Sequence, residues 1–115
     1  MTTDPGREGR LAEIEAQKAR SARLAEQFGT PERISPSDAL ALARAAHVSL
    51  GPAVTADDIW ASIYRDEAAA DGWMESNLTH HGHPALARVP LPDGRVVGIL
   101  DLRPALARMR TEEET

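Results

Sequence analysis

Cysteine is absent from the 115-residue chain, which excludes disulfides, thiolate metal sites and thiol nucleophiles. Lysine occurs once, at Lys18, against twelve arginines and beside twenty alanines, a bias expected of a GC-rich bacterial or phage genome. Aromatic side chains are limited to Phe28, Trp60, Tyr64 and Trp73, and the last three fall within fourteen residues, where the core is expected to centre. No run of eighteen apolar residues occurs, and the opening MTTDPGREGR has no hydrophobic signal region. The expectation is a soluble, cytoplasmic protein with no membrane partner. Leu, Ile, Val and Phe together number only twenty-two, a composition at the margin of disorder. With a net charge of just −5 and clustered apolar residues, it predicts a small folded core with loose ends.

The charge is unevenly spread. Residues 1–33 carry six acidic and six basic groups, and residues 85–115 carry five of each. Residues 34–84 hold seven acidic groups against Arg44 and Arg65, so the whole net charge of −5 lies there.

Residues 1–9 are polar and hold Pro5, Gly6 and Gly9, so they read as a flexible tail. Residues 10–28, RLAEIEAQKARSARLAEQF, are rich in helix formers and end before Gly29, a C-terminal stop. The apolar stripe of this helix is thin: Leu11, Ile14, Leu24, Ala25 and Phe28, interrupted by Lys18 and Ser21. A helix of this length is marginal alone in water, so it needs its own domain, a second copy or a partner.

Ser35-Pro36-Ser37-Asp38 is a helix start, with a capping hydroxyl, proline at the first helical position and a carboxylate three residues after the cap. It predicts a helix ending at Gly51-Pro52. Thr55-Ala56-Asp57-Asp58 repeats the pattern and predicts a third helix to Asp71-Gly72, with Ile59, Trp60, Ile63 and Tyr64 as its buried stripe. ALARVPL and RVVGILDL then flank Pro92-Asp93-Gly94, a turn signature that sets Val89 opposite Val97 and Ala87 opposite Ile99. Pro90 lacks a donor and marks an edge strand. Both sides of the second strand are apolar, which predicts one face on the helices and the other free for a partner. A short terminal helix from Pro104 to Arg110 and an acidic tail, 111–115, complete the chain. The predicted class is α+β, mainly helical: about three helices, a C-terminal β-hairpin and a short terminal helix, with residues 35–110 as the core.

NLTHHGHP, residues 77–84, gathers His80, His81 and His83. His81 and His83 are the candidate metal pair, since in an extended segment they point the same way. A zinc site needs a third protein ligand, and neither HExxH nor another metal spacing occurs, so a polar connection is the preferred reading and no cofactor is expected. His47 is read as a helix-end residue. Asp57 and Asp58 belong to a helix's first turn on electrostatic grounds. GxSxG, GxxxxGK and GxGxxG are absent, and no catalytic residue is nominated.

The order helix–helix–helix–hairpin is similar to that of a winged helix-turn-helix, which implies DNA binding by a transcriptional regulator as the alternative function. The segment that would be the recognition helix, TADDIWASIYRDEAAAD, carries five acidic residues and one arginine, which argues against nucleic acid. The preferred function is a small non-catalytic interaction protein, whether adaptor, inhibitor, antitoxin-like or phage-accessory. Its expected partner is a protein with a basic surface, or a second copy, bound through Leu11, Ile14, Leu24 and Phe28 of the first helix.

Overall fold

A computed structural model describes residues 5–51 and 54–114, with side chains described from 9 to 51 and from 54 to 111. Ser35 caps the second helix as its sequence predicts: Asp38 N–H donates to Ser35 Oγ at 3.1 Å and Pro36 opens the helix. The elements in order are α1 (Pro5–Phe28), β1 (Glu32–Arg33), α2 (Pro36–Ala45), a 3₁₀ turn (Ala56–Asp58), β2 (Ile59–Tyr64), α3 (Glu67–His81), β3 (Ala85–Pro90), β4 (Val96–Asp101) and α4 (Arg103–Glu114). The chain is α+β, with three helices, a hairpin and a terminal helix in the expected sequence. The hairpin belongs to a four-stranded antiparallel sheet of order β1-β2-β4-β3. Because β4 lies between them and runs opposite to both, β2 and β3 are parallel to each other, and α3 is the crossover of a split β–α–β unit.

The hairpin follows its predicted register, with Val89 opposite Val97 and Ala87 opposite Ile99, and β3 is a sheet edge as Pro90 required. An irregularity between Ala85 and Ala87 shifts the first strand by one residue.

The predicted third helix is corrected. Thr55 N–H and hydroxyl both donate to Asp58 Oδ2, at 3.0 and 3.1 Å, so the capping interaction forms, but the helix stops after one 3₁₀ turn. Ile59 to Tyr64 then extend as β2 along β4. The residues Ile, Trp, Ile and Tyr favour strands, and pairing with β4 satisfies every alternate backbone group. The third helix begins at Glu67 instead, capped by Asp66, whose Oδ1 accepts from Ala69 N–H at 2.8 Å. The segment required as a recognition helix by the winged-helix order is therefore a 3₁₀ turn, a strand and only the first turn of α3.

Alternation sorts the strands onto two cores. Ile59, Ala61, Val89, Val97 and Ile99 meet Ala39 and Ala43 of α2 on one face. Tyr64, Val96 and Leu100 meet Ala69, Ala70 and Met74 of α3 on the other, with Phe28 and Trp73 packed at its margin. Both faces of the hairpin are thus covered by the chain's own helices, and the expectation of a free apolar face is overturned. Gly98 makes this close layering possible, since a Cβ there would overlap the Tyr64 ring and Met74 Sδ.

Trp60, expected in the core, is 50% exposed, and Ile63 is half-buried. By alternation Trp60 shares the face of β2 that carries Tyr64, but it sits at the opposite end of the strand and is not part of the cluster formed with α3. The second helix is shorter than expected. It stops at Ala45 in a Schellman arrangement, with His47 N–H donating to Arg44 O and Val48 N–H to Ala43 O. His47 takes the left-handed backbone, φ 57°, that glycine usually supplies. Pro52, part of the predicted stop, lies outside the described residues. Of the two predicted tails, residues 5–9 and 111–114 are helical, while residues 1–4 and 115 lie outside the described residues.

Candidate interaction surface

Five alanines and long-chain polar residues make residues 10–28 helical on propensity alone, and Gly29 ends the helix. Gly29 has φ 80° and donates its N–H to Ala25 O at 2.8 Å. The last turn is pinned by three contacts from the β2–α3 region. The Phe28 ring lies on Gly72, Trp73 Nε1 donates to Gly29 O at 3.1 Å, and Arg65 donates to Gln27 O at 2.9 Å. These bonds occupy carbonyls that a helix end would otherwise leave open.

From Gly9 to Ala19 every residue of α1 is exposed. Leu11 is 51% and Ile14 48% exposed. The four residues predicted as one binding stripe are therefore divided. Leu24 and Phe28 are partly buried toward α3, while Leu11 and Ile14 stand on the projecting half. The molecule measures 58 × 38 × 19 Å with a radius of gyration of 16.4 Å, against about 13 Å for an average chain of this length. That elongation follows from a 24-residue helix anchored at one end.

Between α1 and α3 runs a groove of about 400 Å³, lined by Arg20, Arg23 and Leu24 on one wall and by Glu75, Thr79 and His80 on the other. Leu78 of α3 and Leu106 and Met109 of α4 are also exposed.

The histidine segment is not an extended loop. Asn77 to His81 form the last turn of α3, and Gly82 caps it with φ 69° and an N–H donated to Leu78 O. His81 and His83 stack across this cap, with ring centroids 5.9 Å apart. His83 Nδ1 is buried with no partner among the described residues. Burial pushes the His83 pKa down, and the neighbouring His81 and Arg108 push it further the same way. Among the described residues, no group of three or more His, Asp or Glu converges as a metal-binding set.

The acidic segment does not form one patch. Asp57 and Asp58 lie before β2 and Asp66 and Glu67 after it, at opposite ends of the strand. Asp71 is paired with Arg88 of β3 and Asp66 with Arg65. On the hairpin, hydrogen bonds from Arg95, led by its backbone N–H, hold the Asp93 carboxyl below the usual carboxylate range. Hydrogen bonds from the Arg103 guanidinium do the same for Asp101.

Among the described residues no helix is long and apolar enough to cross a membrane. No protein-family model, no curated protein and no solved structure matches the chain.

Proposed function

We propose that the protein is a small non-catalytic interaction module, of the adaptor, inhibitor, antitoxin-like or phage-accessory kind. It works in the cytoplasm by docking the projecting half of α1 on a protein partner. The observation that carries this reading is the asymmetry of α1. Its last turn is fixed by Phe28, Trp73 and Arg65, while Leu11 and Ile14, 51% and 48% exposed, stand on the half where every described residue from Gly9 to Ala19 is exposed. A helix exposed on all sides has little burial to offset its ordering entropy, and an external surface supplies it. The exposed Asp57, Glu67 and Glu75 form no single patch, but with the net charge of −5 they favour the approach of a partner with basic groups.

The test compares wild type with Leu11→Glu/Ile14→Glu in crosslinking and isolation from the native host. The reading expects a protein, a second copy included, held in stoichiometric amount by wild type and lost from a variant of unchanged melting temperature. Equal retention by both chains, or no retained protein, contradicts it. Tight, salt-sensitive duplex binding by the purified chain would favour a DNA-binding regulator instead.

A further inference from the structure

At 3.6 residues per turn, α1 divides into two faces. Arg20, Arg23, Leu24 and Gln27 lie toward α3 and line the groove. The opposite face carries Leu11, Ile14, Glu15, Lys18, Ala22 and Ala25 in that order. The first five are exposed, and Ala25 is half-buried near the pinned end. Read from the N-terminus, this face runs large apolar, acidic, basic, small apolar. Read from the C-terminus, it runs small apolar, basic, acidic, large apolar. The two directions are complementary to each other.

We infer that this face of α1 is a self-association surface, on which α1 of a second copy lies antiparallel. The inference rests on the reading of α1 as the docking element and names its occupant. A two-fold axis passing between Ala16 and Gln17 sets Leu11 against the partner's Ala22 and each Glu15 against the partner's Lys18. Ile14 then falls on the aliphatic stem of the partner's Lys18. The interface is isologous, so each contact occurs twice. Large side chains meet alanines, which lets the helices approach, and two opposite-charge pairs fix the direction. A parallel pair would set Glu15 on Glu15 and Lys18 on Lys18, with the large residues stacked together and the alanines facing a gap. Because α3 occupies the other side of α1, the pairing requires no rearrangement of either domain.

Sedimentation of the full chain over a concentration series tests this with two single charge reversals. Wild type is expected to dimerise reversibly. Glu15→Lys and Lys18→Glu should each weaken dimerisation by about tenfold or more, because two attractive pairs become two repulsive ones. An equimolar mixture of the two variants should recover wild-type affinity as a one-to-one heterodimer. In that heterodimer the introduced lysine of one chain faces the introduced glutamate of the other, and the unaltered Lys18 of the first faces the unaltered Glu15 of the second. That recovery separates a surface effect from misfolding. A wild type that stays monomeric, variants that dimerise as well as wild type, or a mixture that fails to recover would each overturn the inference. A monomeric wild type that still captured a different protein through Leu11 and Ile14 would overturn only the self-pairing and leave the docking role intact.

Discussion

The Phe28 ring lies against the bare backbone of Gly72, where a Cβ would overlap it. This contact joins α1 to the sheet domain. It also explains a glycine in the middle of α3, a position that otherwise weakens a helix by about 1 kcal/mol relative to alanine.

Replacing Gly72 with alanine therefore sets a gain in helix propensity against a clash with an aromatic ring. The clash dominates, and Gly72→Ala should destabilise the protein by roughly 1–3 kcal/mol in urea unfolding. Amides of residues 20–28 should lose protection in the same variant. A more stable variant would mean that the ring is free to move aside.

The two cores on the faces of the sheet carry the stability, and Trp60 does not. Ile99 is fully buried, so Ile99→Ala should cost about 2–5 kcal/mol in chemical denaturation. Trp60→Ala, at a half-exposed position, should cost less than half of that. Equal losses would return Trp60 to the core.

His47 closes α2 in a left-handed conformation that disfavours side chains with a Cβ. His47→Gly should stabilise by up to about 1 kcal/mol, whereas His47→Val should destabilise by a similar amount or more, because branching worsens the clash. Thermal melts of the two variants give the comparison directly.

His83 makes stability depend on pH. Its folded pKa lies below the ordinary 6.5, so above 6.5 both states are neutral there and it contributes nothing. As the pH drops below 6.5 the unfolded chain takes up the proton first, and stability falls until the depressed folded value is passed. His83→Asn should flatten the melting temperature through this window. Asp101 acts separately: its folded pKa lies below the ordinary 3.8, so its stabilisation is present above 3.8 and lost as the pH falls below that value. A wild-type melting temperature constant from about pH 7 to 5 would contradict the assignment of His83.

Signals confined to a few neighbouring residues were legible in the sequence. Ser35-Pro36-Ser37-Asp38 starts α2, and Pro92-Asp93-Gly94 turns the hairpin in the register read from its apolar residues. IWASIY was ambiguous because Ile59, Trp60, Ile63 and Tyr64 fit a helical stripe as well as a strand, and the deciding partner, β4, lies some forty residues downstream. Gly72 read as a helix stop because its reason, Phe28, is equally distant. Leu11, Ile14, Leu24 and Phe28 read together as one thin stripe in need of a packing surface. That Leu24 and Phe28 turn toward α3 could not be read before α3 itself was placed.

On the proposed docking role, the first half of α1 finds its packing outside its own domain. Hydrogen exchange on the full chain, diluted until it sediments as a monomer, tests it most directly. Amides of residues 10–18 should exchange far faster than those of residues 39–45 in α2, where Ala39 and Ala43 are buried against the sheet. Protection of residues 10–18 should then rise when the partner surface is supplied. Equal protection of the two helices in the dilute monomer would contradict the account, because α1 would be stable without any external surface.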